Sequence, residues 1–289
     1  MEQALLASAN ASGGWGYYAG HGSRLEPTCW ALLALLPAHP SLGEPSSVHG
    51  DFIRRSQRRD GLFVEGAVSK EDRPNLAFNA LAAILLEHHG IGIPDARERV
   101  LSALIQHKGM KLDPSEINQQ NNSLQGWGWV DDTFSWVEPT AWCLLALKKA
   151  TPKSAQASAR IEEAERLLVD RCCDVGGWNY GNSNMLGQML HPFVSTTAGG
   201  LLALQDRRQD PCVVRSLEFL VKHRLAERSA MGLGLALIAL RVFDAPFGDV
   251  REALLAQWER TKFLGNAHLT AVALYALRDQ PAQSEALHV

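Results

Sequence analysis

Gly126-Trp127-Gly128-Trp129 is followed, after a short polar loop, by Glu138-Pro139-Thr140-Ala141-Trp142-Cys143-Leu144-Leu145-Ala146-Leu147. The same grammar returns at Gly13-Gly14-Trp15-Gly16-Tyr17 with Glu26-Pro27-Thr28-Cys29-Trp30-Ala31-Leu32-Leu33, and at Gly176-Gly177-Trp178-Asn179-Tyr180 with Ser195-Thr196-Thr197-Ala198. Weaker copies are Asp60-Gly61-Leu62-Phe63 with Asn79-Ala80-Leu81, the run Met231–Leu240, and Thr270–Leu277. A glycine-aromatic turn supplies positive φ. Pro or a Ser/Thr side chain then opens a helix. That helix is Ala/Leu-rich on nearly every face, the pattern of a helix buried all round.

Between these lie amphipathic segments, Val48–Gln57, Asp95–His107, Ala155–Arg171, Pro211–Arg224 and Phe247–Thr261, with Met1–Ser8 as a short first member. Each carries the one-sided apolar stripe of a helix with a solvent face. About six buried helices alternating with about six exposed ones gives roughly 48 residues per pair, the scale of a two-helix repeat. An open solenoid would leave the greasy helices partly wet. Closing the stack hides them, so the expected fold is all-α, an (α/α)6 toroid of inner and outer helices filling residues 1–289 as one domain. Lys108–Gln125, with Asn118-Gln119-Gln120-Asn121-Asn122, is a polar insertion expected on the surface.

Composition narrows the function classes. With 46% hydrophobic and 20% charged residues the chain is globular. A formal charge of −3 lacks the basic excess of a nucleic-acid binder, so no nucleic-acid partner is expected. Five cysteines, two of them adjacent at Cys172 and Cys173, make a poor disulfide framework, and a reduced, cytoplasmic setting is expected. Met1-Glu2-Gln3 has no basic targeting region, and the longest apolar runs fall short of the roughly 20 residues that cross a bilayer. Peripheral contact with one leaflet stays open.

The repeats also carry a family resemblance. Phe52-Ile53, Gln57 and Gly61-Leu62-Phe63 are similar to the QW repeat of squalene–hopene and oxidosqualene cyclases, with Phe in the place of Trp. The Gly-Gly-Trp turns and Thr140–Leu147 likewise resemble prenyltransferase/squalene oxidase repeat proteins, from about Gly13 to Leu277. The resemblance implies a toroid with an apolar central cavity and an isoprenoid or polycyclic-lipid ligand. It implies a terpene cyclase-like or isomerase-like activity by acid-initiated carbocation chemistry, with no cofactor or metal. Three departures stand beside it. The Asp-x-Asp-Asp acid motif is absent, Val130-Asp131-Asp132-Thr133 keeping only its tail. Asp210-Pro211-Cys212 has the spacing of a prenyltransferase zinc pair but opens an outer helix. Full-length bacterial cyclases have two such domains, and this chain has length for one.

Registering the inner helices on Thr places Glu26, Glu138, Ser195 and His268 two residues before Thr28, Thr140, Thr197 and Thr270. Parallel inner helices would bring all four to one mouth, with Glu26 beside His268 because the first and sixth helices adjoin. Glu138, Glu26 and His268 are the candidate catalytic acid and base. A first-turn carboxylate is also a helix cap whose pKa the helix dipole lowers, and only burial reverses that. Trp136, Trp142 and Phe193 are candidates to shield cationic charge, with Ser195 beside them; aromatic packing between repeats is the competing reading. Asp131 and Asp132 could bind a diphosphate, or stand solvated in a turn. The alternatives to an isoprenoid enzyme are a non-catalytic toroid binding a lipid or protein, and a prenyltransferase-like enzyme.

Overall fold

In the computed structural model the described residues are 1–66, 73–91, 93, 95–114, 117, 120–151, 153–278 and 286–289. Twelve α-helices occur among them. The outer set is α1 (Glu2–Ala7), α3 (Val48–Ser56), α5 (Ala96–Gln106), α7 (Ala155–Asp170), α9 (Pro211–His223) and α11 (Gly248–Thr261). The inner set is α2 (Leu25–Leu35), α4 (Leu76–His89), α6 (Val137–Lys149), α8 (Val194–Ala203), α10 (Ala230–Val242) and α12 (Ala267–Ala276). Each inner helix packs on the next, and α12 packs on α2, so the ring closes. Outer helices lean on it from outside, α1 against α12. The fold is an all-α toroid. The described part of the polar insertion includes Gln120, Asn121 and Asn122; Asn118 and Gln119 lie outside the described residues.

Sequence dictates which helix goes where. α10 is buried on every face apart from Met231 and Arg241, whereas α7 buries one stripe that includes Ala157, Ala164, Leu167 and Leu168. A two-stranded hairpin, β1 (Asn184–Met185) and β2 (Gln188–Met189), interrupts the loop before α8. No alternation predicts it; the turn Leu186-Gly187, both at positive φ, makes it.

The repeat is held by three recurring latches. The turn aromatic donates its backbone N–H to the inner-helix register residue: Trp15 to Thr28, Trp127 to Thr140, Trp178 to Thr197, and Phe63 to Asn79. Each buried indole then donates to the last turn of the preceding outer helix, Trp15 to Leu5 O, Trp127 to Leu104 O and Trp178 to Leu168 O, at 2.7–2.8 Å. A buried indole brings about 200 Å² into the core and needs its N–H satisfied. Finally, the residue two beyond the aromatic accepts a bond from the first residue of a neighbouring inner helix. Leu25 donates to Glu65, Leu76 to Trp129, Val137 to Tyr180 and Ala267 to Tyr17, all at 2.8 Å. At α8 the Glu227 carboxylate takes this place on Ser195 N–H. Helix starts are therefore tied to loops that open the neighbouring inner helices, and these inner-helix N-termini face one mouth.

The other end is covered. Ala286 and Leu287 are buried there. Leu287 N–H donates to Tyr275 Oη, Gln205 Nε2 and Lys149 Nζ donate to the Leu287 and His288 carbonyls, and Val289 N–H donates to Gln205 Oε1.

Candidate active site

The N-terminal mouth gathers the ionisable groups. Because α12 adjoins α2, His268 Nε2 stands 3.5 Å from Glu26 Oε1. No hydrogen bond forms across that gap, and among the described residues His268 Nε2 has no other partner although the ring is buried. Tyr17, reaching in from the first turn, donates its hydroxyl to Glu26 Oε2 at 2.6 Å and sets its ring edge-on to the imidazole, centroids 5.7 Å apart. Tyr17 also lines a cleft of about 660 Å³ with His21, Arg24, Phe52 and Arg55. On α6, Glu138 takes a hydrogen bond from the Trp142 side chain one turn below it.

Burial, not the helix dipole, sets the protonation states. Glu26 is pushed up to about 7 by desolvation, opposed by the Tyr17 hydrogen bond and reinforced by the charges of Glu138 and Glu65. Desolvation raises Glu138 to about 7 as well, the Trp142 hydrogen bond opposing it. His268 is lowered to about 4 by burial, so its imidazole is neutral across the physiological range. The first-turn position would by itself have lowered both carboxyls.

Beneath the mouth the bore is crossed by aromatics. Trp30 meets Trp142 edge to face at 5.9 Å and Tyr275 at 5.7 Å. Trp30 and Trp142 stand one turn below Glu26 and Glu138. At the same depth α8 carries Gly199, where an added Cβ would meet nothing within 4 Å. Glycine thus leaves space beside α8 at the depth where α2 and α6 carry tryptophan.

The remaining sequence candidates lie on the rim. Trp136, N-cap of α6, is half-buried with its ring edge-on to Phe134 at 5.6 Å. Phe193, N-cap of α8, packs at a tilt against Tyr180, centroids 4.8 Å apart, and lines a groove of about 700 Å³ with Ser195, His191, Phe219 and Glu227. Asp131 and Asp132 diverge: Asp131 pairs with His107 at 3.2 Å, and exposed Asp132 pairs with Arg73 at 2.9 Å. Their carboxylates are engaged by separate side chains on different elements. Asp210 caps outer helix α9 by accepting the Cys212 N–H, away from the inner ring. The sequence reading missed Trp30 and Tyr275, and it did not foresee the bond of Tyr17 to Glu26. Tyr17 carried one usable signal, since it repeats the position of Tyr180 in Gly-Gly-Trp-x-Tyr.

No family model matches this sequence, and no curated protein matches it. Solved structures do share the architecture. A type II terpene cyclase from Scytonema superposes with a TM-score of 0.60 at 15% identity, covering 95% of this chain and 94% of that one. Protein geranylgeranyltransferase-I of Candida albicans, complexed with GGPP, gives 0.56 at 12% identity over 96% and 84%. An alpha-amylase from Clostridium perfringens gives 0.67 at 9% identity over 96% and 97%. At these identities the likeness establishes the α/α toroid and nothing finer. No helix among the described residues is long and apolar enough to cross a membrane.

Proposed function

We propose that the N-terminal mouth is an acid–base site that moves a proton on an apolar, isoprenoid-type ligand, in the manner of an isomerase or a terpene cyclase-like enzyme. The observation that carries this is the pair of carboxyls, Glu26 and Glu138, both with pKa raised to about 7 above an aromatic floor. Near neutral pH each carboxyl is populated in both its protonated and its ionised form, so either can donate or accept a proton. Tyr17 occupies Glu26 Oε2, leaving Oε1 to carry the transferable proton towards the bore. After transfer the same hydroxyl stabilises the carboxylate. With its pKa near 4, His268 is a poor base and offers its unbonded Nε2 to a polar atom of the ligand. Trp30, Trp142 and Tyr275 would steady transient positive charge by about 0.5–2 kcal/mol each.

Proton-transfer isomerisation fits better than squalene–hopene-type cyclisation. A carboxyl near 7 is a weaker donor than a free one, adequate for an activated or allylic double bond but poor for an isolated alkene. The missing Asp-x-Asp-Asp motif points the same way. Exposed Leu186 and Leu264, in loops before α8 and α12, suit uptake of such a ligand from a lipid surface. The test is a panel of isoprenoids incubated in deuterated water. The wild type should place deuterium in one ligand, and Glu138→Gln should abolish this with little change in melting temperature. Tight ligand binding without any exchange would instead establish a non-catalytic lipid-binding toroid, a reading that the aromatics crossing the bore also favour.

A further inference from the structure

We propose that Cys172 and Cys212 form an oxidation site on the outer wall, a reactive thiol and its resolving partner that close to a disulfide between the end of α7 and the first turn of α9. Cys172 follows the C-cap of α7 and is half-buried; Cys212 is the second residue of α9 and is buried. One hydroxyl brings them together. Ser216 Oγ lies 3.7 Å from Cys172 Sγ and 4.0 Å from Cys212 Sγ, and Cys172 Sγ is 4.0 Å from the Cys212 carbonyl. The Cys212 thiol hydrogen-bonds to Cys172, and the Ser216 hydroxyl and Arg215 guanidinium also favour its thiolate; against burial, they hold Cys172 down to about 7. Cys212 moves the opposite way, its thiol kept protonated by that same bond and by burial. A thiolate reachable from solvent beside a protonated second thiol is the arrangement that reacts with peroxides.

The chemistry balances with a hydroperoxide as oxidant. The Cys172 thiolate attacks the distal peroxide oxygen, the O–O bond breaks, and the alcohol or water leaves with a proton, giving Cys172 sulfenic acid. Cys212 sulfur then attacks the Cys172 sulfur, its proton leaves with the hydroxide as water, and the S–S bond forms. The remaining cysteines lack this arrangement. Cys29 and Cys143 are sealed in inner helices with thiol pKa values driven up by burial, and burial likewise raises Cys173. Ser216 gives the bond a mechanical reach, because its Oγ also accepts Gly177 N–H at 2.8 Å and so latches the turn that seats Trp178.

The test treats the full chain with a small excess of hydrogen peroxide. It should lose two of its five thiols and about 2 Da, and trypsin should release peptide 172–207 joined to peptide 209–215. Cys173→Ser should keep that cross-link. Cys212→Ser should instead leave a dimedone-reactive sulfenic acid on Cys172, and a melting curve on each variant confirms that it is folded. The proposal is overturned if oxidised wild type yields no 172–207/209–215 pair. Folded Cys172→Ser losing its thiols as fast as wild type would overturn it as well.

Discussion

Glu26 shows how far one residue's surroundings can move its chemistry. Its folded pKa of about 7 lies above the ordinary 4.5, so the folded chain keeps a proton that the unfolded chain has released between those values. Glu26's share of the stability therefore falls as pH rises from about 4.5 to 7, by up to about 3 kcal/mol, and levels off above. Glu26→Gln removes the ionisable group while still accepting the Tyr17 hydroxyl. It should leave melting unchanged near pH 4.5 and raise it by roughly 5 °C at pH 8. A fall in melting temperature at pH 8 would mean that the carboxylate is a favourable helix cap, and the acid role would go with it. The imidazole works in the other direction. His268 titrates near 4 in the fold instead of 6.5, so its share of stability is lost as pH drops through that window.

At the scale of the element, the repeat latch is the unit that a mutation should break. Thr140 Oγ1 accepts the buried Trp127 N–H at 3.0 Å, and valine keeps the shape while removing the acceptor. Thr140→Val should cost about 1–3 kcal/mol, the range for stranding a buried donor, read as a lower melting temperature at every pH. An unchanged melting curve would show that the turn is seated by packing alone. Elements of this kind were legible because their signals are local. Glycine-aromatic turns, Thr register and the alternation of two helix types lie within windows of a few dozen residues, and they placed the outer helices and the starts of α2, α6, α8 and α10 to within a residue, while α4 and α12 begin three residues before their motifs. The ring order then followed, and with it the meeting of Glu26 and His268. What stayed hidden depends on side-chain reach. Nothing in the spacing tells that Tyr17 turns inward to Glu26, or that Trp30, Trp142 and Tyr275 meet across the bore. Adjacent Asp131 and Asp132 read as a pair, but the backbone at Asp132 is left-handed, with φ 56°, and the two carboxylates part company.

Over the whole molecule the two ends of the ring are unlike. At the mouth the inner helices present their N-termini, with Glu26, Glu138, Ser195 and Met231 all partly open to solvent. Across the far end lie residues 286–289, bonded to the ends of three inner helices through Lys149, Gln205 and Tyr275. Leu287, wholly buried, fills the space beneath. Removing residues 286–289 should expose that floor and lose about 2–5 kcal/mol, the range for emptying a buried leucine site. Melting should drop by several degrees, and amide exchange should quicken at Leu144–Leu147 and Leu201–Leu204, the inner-helix ends nearest the tail. The pH-dependent gain of Glu26→Gln should survive in the shortened chain, because Glu26 sits at the opposite mouth and shares none of these bonds. Unchanged exchange at those helix ends would show that the inner helices seal the floor by themselves. Loss of the pH signature would instead show that the tail holds the bore aromatics in place, through Tyr275, and so reaches the site from below.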